Sequence, residues 1–296
     1  MIIEDTYCEA FGSIYAEVLI TAANDKWLGH ALNSVTGHAS STIMCDCEAG
    51  LDRLTRDTPD GRPGAVVQFH VPRFRKDRVR ALELALIRRL GQNILTCPTA
   101  SAWNLIESPE MFKIGRKLGY FGDGHQKRDR RFDRKVWVIP IMGGEFVTES
   151  KFGYASGVMG GNLLMLGEDL PAAIAAAERA LVAVHATAGV ITPFPGGATW
   201  SGSKAGSRYK FLIASTFQKF CPTLREKVED SAVPEGVRAV IEIIINGKGE
   251  EVIRQAMYAG IGAARETPGL ARISAGNYGG RLGKYKIPLR PSSLSD

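Results

Sequence analysis

The feature that most constrains the fold is a repeated order of strand and helix patterns in the two halves of this 296-residue chain. Strands alternate apolar residues with period two, and helices with period 3.6. In the first half these patterns predict strand, helix, strand, strand, helix, strand over 15–21, 26–35, 40–45, 65–70, 77–90 and 93–97. The second half repeats the order over 162–166, 172–188, 190–193, 238–245, 250–265 and 270–274.

Two βαββαβ repeats predict an α+β protein with two ferredoxin-like lobes, whose antiparallel sheets carry their helices on one face. We place the lobe boundary near residue 150. The first lobe, 1–150, ends in a strand extension predicted at 117–121, 136–142 and 146–148. The second lobe, 151–296, carries an insertion at about 198–235.

The sequence lacks the marks of secretion or membrane insertion. The N-terminus turns acidic within five residues, unlike a signal peptide. The longest apolar stretch, 172–188, contains Glu178, Arg179 and His185, which favours a buried helix over a membrane span. The five cysteines form no paired framework. We therefore expect a cytoplasmic protein with reduced cysteines and no membrane partner.

The chain is basic, with a formal charge of +6 and an isoelectric point near 9.1. A positive field attracts acidic ligands, of which nucleic acid is one class. Ferredoxin-like sheets that bind RNA carry stacking aromatic residues on their central strands. The strands at 66–70 and 238–245 are chiefly aliphatic, and the basic runs 73–76 and 127–135 are typical of solvated loops. We expect no nucleic-acid partner.

Metal and nucleotide sites are also poorly supported by the sequence. Cys45 and Cys47 have no second cysteine pair, and the five histidines show no ligand spacing. The glycine-rich runs 197–204 and 122–124 do not match a phosphate-binding loop or a dinucleotide fingerprint. The sequence thus predicts no metal and no tightly bound cofactor.

Glu242 is the most anomalous side chain, because it interrupts the β-branched run Val240 to Ile245. A carboxyl group among isoleucines is costly to ionise, so its pKa should rise until it can exchange a proton near neutrality. A solvent-facing glutamate or one half of a buried ion pair would give the same pattern. His70 holds the matching position in the first repeat, six residues after Gly64, and we expect it to be structural.

Two glycine loops could bring the backbone close to a ligand. The first contains Phe194, Pro195, Gly196 and Gly197. The second, 274–280, contains Asn277 and Tyr278. Sharp turns at strand ends would explain both loops equally well.

Four separated motifs together resemble the formylmethanofuran:tetrahydromethanopterin formyltransferase family, and the similarity runs almost end to end. They are TPDGRPG at 58–64, VITPFPGG at 190–197, EIIING at 242–247 and SAGNYGG at 274–280. The resemblance implies a homotetramer that transfers a formyl group between a methanofuran-type carrier with an acidic tail and N5 of tetrahydromethanopterin. Both carriers would be diffusible substrates. The resemblance also implies that Glu242 is catalytic and that Glu48 and Ser201 are candidate substrate-binding residues.

The chain departs from the family pattern at two places. CDCE stands at 45–48 where CPAE is usual, and ATWS follows the first glycine loop at 198–201. A separate alternative is a catalytically silent scaffold subunit of a larger formyltransferase/hydrolase complex. The presence of Glu242 and of both glycine loops argues against that alternative.

Overall fold

A computed structural model describes residues 1–290. The helices of these residues are α1 (Asp25–Thr36), α2 (Arg78–Arg89), α3 (Ile114–Gly119), α4 (Leu170–His185) and α5 (Glu250–Ala264). The strands are β1 (Ile2–Ile3), β2 (Tyr7–Thr21), β3 (Glu48–Thr55), β4 (Gly64–Pro72), β5 (Ser101–Asn104), β6 (Met111–Phe112), β7 (Lys127–Arg131), β8 (Arg134–Ile141), β9 (Gly144–Glu149), β10 (Phe152–Gly153), β11 (Ala155–Gly167), β12 (Val190–Ile191), β13 (Ala198–Thr199), β14 (Ser203–Ala205), β15 (Ala214–Thr216), β16 (Ala239–Gly247), β17 (Leu270–Ser274) and β18 (Tyr285–Pro288). The predicted mixed α+β class is confirmed.

The chain folds into two compact units. Unit I is Ser13–Gly157, and unit II combines Met1–Gly12 with the residues from Val158 onward. The first residues join unit II because β1 pairs in parallel with β17 and the start of β2 pairs with β18. Such pairing between the two ends of a chain leaves no local pattern in the sequence. The lobe boundary near residue 150 is drawn from the repeated order of elements, and it stays a prediction.

Unit I is built on a sheet with the strand order β3-β4-β2-β5-β9-β8-β7, in which only β5 and β9 run parallel among the residues described. Alternate residues of β2 and β4, such as Val18 and Phe69, pack with Leu82 and Leu86 of α2 in one apolar core. The opposite residues of β4 include His70, which is fully buried on the other side of the sheet.

Unit II places β11 between β17 and β16, and β16 also pairs with the short strands β12 and β13. Ile243 and Ile245 of β16 pack in one core with Ala177 of α4 and Met257 of α5. The other face of this sheet carries Leu164, which packs in a separate cluster with Val233 from the predicted insertion and Val237 just after it. The insertion thus covers part of the face that the helices leave open.

The strand predicted at 40–45 is wrong. These residues form turns, in which the backbone N–H of Cys45 donates to the carbonyl of Ser41 at 2.8 Å and the N–H of Thr42 donates to the carboxylate of Glu48 at 3.1 Å. Serine and threonine compete with extended pairing by such local hydrogen bonds. The strand forms instead at β3, where a register shift between Leu51 and Arg53 lets Asp52 point inward.

Two further predicted strands are also wrong. Residues 93 and 94 end a π-helical turn, Leu90–Ile94, that continues α2, and 95–97 form turns. The N–H of Leu95 donates to the carbonyl of Leu90 at 2.9 Å. Most of 117–121 lies in α3 and the 3₁₀ turn Tyr120–Gly122. Ile114 and Leu118 are both buried there, which is the four-residue spacing of a helix rather than the alternation of a strand. The strand that joins the sheet in this part of the chain is β5, which lies between these two helical segments and pairs with β2.

Most other predicted elements are confirmed to within a few residues, including all four helices of the two repeats at 26–35, 77–90, 172–188 and 250–265. None of the helices described within residues 1–290 is both long and apolar enough to cross a bilayer. The ferredoxin-like description of each lobe stays a prediction.

Candidate active site

Glu242 lies in the middle of β16, between the two isoleucines that face the helices. Its side chain is on the opposite face of the sheet with Val240, and it pairs in register with Leu164 of β11 on one side and Thr199 of β13 on the other. Glu242 is only 7% exposed. The buried carboxyl group that the sequence predicted therefore exists, on the face away from the helices.

A cavity of about 240 Å³ opens over this carboxyl group. Leu164, Val240 and Glu242 line it from the sheet. The segment 199–202 lines one side, and residues 216, 217, 220 and 221 line the other. Most of these residues are apolar or aromatic with a few polar groups among them, which is the usual composition of a small-molecule site.

Burial raises the pKa of Glu242 to about 7, because a charged carboxylate loses its hydration in this setting. At neutral pH both protonation states are then populated. A group with that property can accept a proton from one substrate atom and donate it to another at the same pH.

Gly202 is a candidate site residue that the sequence interpretation missed, and it lines the cavity. A Cβ atom at this position would lie 2.5 Å from Oε2 of Glu242, so a side chain here would force the carboxyl group to move. Ser201 precedes it and also lines the cavity. A glycine between two serines inside a long insertion was the available signal, but only the register of β13 with β16 reveals what that glycine approaches.

The first glycine loop positions β13 rather than lining the cavity. Phe194 precedes a 3₁₀ turn, Pro195–Gly197, in which Gly196 and Gly197 have φ of 63° and 89°. Only glycine adopts such angles readily. A Cβ atom at Gly197 would also lie 2.5 Å from Leu181. The tight turn leads directly into β13, which pairs with β16 at Glu242.

The second glycine loop reaches the cavity through an aromatic contact. The ring of Tyr278 stacks on that of Phe217, a cavity residue, with 5.9 Å between centroids and 9° between planes. The Tyr278 hydroxyl donates to the carbonyl of Ser203 at 3.3 Å. Burial, with a smaller contribution from the charge of Glu242, raises the pKa of Tyr278. Asn277 instead donates its side-chain N–H to the hydroxyl of Thr6 at 2.9 Å.

Glu48 and His70 lie in unit I. The Glu48 carboxylate accepts from the N–H and hydroxyl of Thr42 at 3.1 and 3.3 Å, so it holds the 40–47 turn. His70 is hydrogen-bonded to Ser13 at 3.0 Å and to Gln68 at 2.9 Å, and its ring stacks on Tyr15. Burial lowers the pKa of His70 to about 3, so this histidine stays neutral at physiological pH.

Within residues 1–290, no group of three or more histidine, cysteine, aspartate or glutamate side chains is arranged to hold a metal ion. The site residues brought together in unit II are thus a carboxyl group with a pKa near neutrality, a serine and an aromatic wall.

Comparison with known proteins gives a consistent result over both units. Residues 1–141 match the family model described as formylmethanofuran-tetrahydromethanopterin formyltransferase. Residues 144–291 match the model of the proximal lobe of the same enzyme.

Formylmethanofuran–tetrahydromethanopterin formyltransferases from Methanocaldococcus jannaschii and Methanothermobacter thermautotrophicus are 48% and 46% identical to the chain, each over 97% of this chain and 96% of the relative. The solved formyltransferase from Methanosarcina barkeri superposes with a TM-score of 0.91 at 46% identity, over 97% of this chain and 96% of that one. A chain of the formyltransferase/hydrolase complex from Methylorubrum extorquens, solved with methylofuran, gives 0.90 at 38% identity over 97% and 95%. The chain therefore belongs to the formylmethanofuran–tetrahydromethanopterin formyltransferase family.

Proposed function

We propose that the protein transfers a formyl group reversibly between formylmethanofuran, or a methylofuran-type carrier, and N5 of tetrahydromethanopterin. Family membership over nearly the whole chain supports this reaction, because the curated relatives share that name and cover the chain at 46–48% identity. The alternative of a silent scaffold subunit is less well supported, since the buried carboxyl group and its cavity are both intact.

The reaction needs one proton to be moved between two nitrogens. N5 of the pterin attacks the formyl carbon, and a tetrahedral intermediate forms with a new C–N bond. N5 then releases its proton, the carrier nitrogen accepts one, and the original C–N bond breaks. The products are the free carrier amine and the N5-formyl pterin. An amine is a poor leaving group unless it is protonated, so the enzyme must supply an acid at the right moment.

We assign the proton transfer to Glu242. As a carboxylate it accepts the proton from N5, and as a carboxylic acid it delivers the proton to the departing amine. The observation that carries this assignment is the burial of Glu242 at the floor of the cavity, which brings its pKa to about 7. The apolar walls also limit access of water, which would otherwise hydrolyse the activated formyl group.

The test is a coupled spectrophotometric assay with formylmethanofuran and tetrahydromethanopterin, run on the parent and on Glu242→Gln. A positioned acid–base group contributes about 10²–10⁴-fold, so the variant should lose at least about 100-fold in kcat. Glu266→Gln is the matched control, because Glu266 is an exposed carboxylate of the same unit. An inactive parent would refute the proposed reaction. Equal activity of parent and Glu242→Gln would leave the reaction and refute the role of Glu242.

We also propose that Ser201 binds substrate, that the two glycine loops hold the cavity wall in place, and that the working form is a cytoplasmic homotetramer. Ser201 is supported by its place in the cavity wall.

The oligomeric state is supported by the resemblance alone, and light scattering of the purified chain would test it. Association with further subunits is suggested by the solved relative in a formyltransferase/hydrolase complex; co-purification from the native host would test that association.

A further inference from the structure

We propose that Glu9 is a positioning residue for the active site: its carboxylate gathers the backbone of residues 278–283 and so holds the Tyr278 ring against Phe217 at the cavity of Glu242. The proposal deepens the function proposed above and rests on it. Glu9 itself lies in β2 and belongs to unit II with the loop and the cavity.

Four backbone N–H groups converge on the two oxygens of Glu9. Oε1 accepts from Tyr278 at 2.7 Å and from Gly280, and Oε2 accepts from Leu282 at 3.0 Å and Gly283 at 2.9 Å. Glu9 is only 4% exposed. Each oxygen of this nearly buried carboxylate thus accepts two hydrogen bonds. Hydrogen bonds from N–H groups to an ionised acceptor are about twice as strong as those between neutral groups, so Glu9 holds the backbone of 278–283 in place.

The anchored loop links Glu9 directly to the cavity wall. The N–H of Tyr278 is one of the four donors, and the ring of the same residue stacks on Phe217. The Tyr278 hydroxyl donates to the carbonyl of Ser203, next to the glycine that approaches Glu242. Tyr278 is therefore held at its backbone by Glu9 and, at its ring, supports two parts of the cavity wall.

The charge of Glu9 suits this role. Desolvation opposes ionisation of Glu9, but the hydrogen bonds from Gly283, Tyr278, Gly280 and Leu282 outweigh it and lower the pKa. Glu9 is thus ionised at neutral pH, where an acceptor is required on both oxygens. Glutamine keeps the shape of the side chain, but its NH₂ group would point at two N–H donors that have no acceptor. Glu9→Gln therefore removes half of the anchor and its charge with almost no change in volume.

The first experiment measures hydrogen exchange by the backbone amides of 278–283, without substrate, in the parent, in Glu9→Gln and in the control Glu266→Gln. We expect these amides to exchange at least about tenfold faster in Glu9→Gln, while the amides of α4 and α5 keep their protection. Unchanged protection of 278–283 would overturn the proposal. Because no substrate is present, this result decides on the anchor even if the parent proves inactive, an outcome that would refute the proposed function instead.

The second experiment separates positioning from general stability. With formyl transfer as the readout, Glu9→Gln should raise the KM for a substrate at least about fivefold and leave the pH dependence of kcat unchanged, since Glu242 is intact. The double variant with Tyr278→Ala should be no worse than the worse single variant, because both changes release the same ring. An unchanged KM, or fully additive losses, would overturn the role. If Glu9→Gln did not fold, Tyr278→Ala alone should raise the KM at least about fivefold, and an unchanged KM there would overturn the role of the ring that Glu9 holds.

Discussion

A Cβ atom added to Gly202 would lie 2.5 Å from Oε2 of Glu242, so the end of the carboxyl group occupies the space that a side chain at this position would need. Thr199 of β13 pairs in register with Glu242 of β16, and Gly202 follows Thr199 by three residues. The absence of a side chain at Gly202 therefore determines how much room the carboxyl group and a substrate have.

Gly202→Ala should reduce formyl transfer by at least about tenfold, because the methyl group must displace the Glu242 carboxyl from its place in the cavity wall. A misplacement of about 1 Å at a reacting group is enough for losses of that size or more. The measurement is kcat/KM in the coupled assay, together with thermal unfolding to confirm that the variant is folded.

Gly262→Ala is the matched control for that variant. Gly262 lies on the exposed side of α5, and a Cβ atom there would meet nothing within 4 Å. Alanine in a helix should stabilise the protein by about 0.5–1 kcal/mol and leave activity unchanged. Full activity of Gly202→Ala beside an unaffected control would show that the close approach has no catalytic consequence.

Glu242 could be predicted from the sequence and Gly202 could not, for a physical reason. A carboxyl group in a β-branched run conflicts with its local environment, and the sequence displays that conflict directly. Gly202 has no unusual neighbours along the chain, and its importance comes from the pairing of a two-residue strand across a long insertion. The four amides on Glu9 are hidden in the same way, because the loop that donates them lies about 270 residues further along the chain.

The raised pKa of Glu242 also predicts a pH effect on stability. The native protein holds a proton on Glu242 up to about pH 7, whereas the unfolded chain releases it near the ordinary value of 4.5. Stability therefore falls as pH rises through this window and levels off above it. The free energy of unfolding of the parent should fall by about 2–3 kcal/mol more than that of Glu242→Gln between about pH 5 and pH 8. Urea titrations at the two pH values measure this difference, and parallel pH dependences would contradict the assigned pKa.

The strand predicted at 40–45 does not form, because local hydrogen bonds outweigh the apolar pattern of these residues. Thr42 and Ile43 suggested a strand, but Glu48 accepts two hydrogen bonds from Thr42 and fixes a turn. The true strand β3 has Leu51 and Leu54 exposed and Asp52 buried, the reverse of the usual alternation. No periodicity argument selects such a strand. β3 forms because β4 supplies its backbone pairing. β4 also supplies Gln68, whose side-chain NH₂ donates a hydrogen bond to the buried carboxylate of Asp52.

His70 should be a fixed neutral tautomer. The side-chain NH₂ of Gln68 donates to Asp52 at 2.8 Å, so the Gln68 oxygen must accept from Nε2–H of His70, and Nδ1 is left to accept from the Ser13 hydroxyl. With a pKa lowered to about 3, the ring takes up no proton in the folded protein between about pH 5 and pH 8. Nitrogen NMR of labelled histidine should show one Nε2–H tautomer across that range. A titrating His70 signal would contradict this hydrogen-bond chain.

Arg89 fixes the end of α1 through a fork of four hydrogen bonds. Its Nη1 donates to the carbonyls of Val35 and Gly37 at 2.6 and 2.9 Å, and its Nη2 donates to the carbonyl of His38 at 2.9 Å and the carboxylate of Asp46 at 2.6 Å. Lysine keeps the charge but cannot reach four acceptors in two directions, so buried carbonyls lose their donors. Arg89→Lys should lower the free energy of unfolding by about 2–4 kcal/mol.

The neighbouring Arg88 provides the control for that substitution, because it is exposed on the same helix and differs from Arg89 in burial rather than in chemistry. Arg88→Lys should change the free energy of unfolding by less than about 0.5 kcal/mol. Urea titration of both variants gives the comparison directly. Equal effects would mean that the fork adds nothing beyond the charge that lysine also supplies; a loss confined to Arg89→Lys would assign the stabilisation to the geometry of the guanidinium group at the C-terminal end of α1.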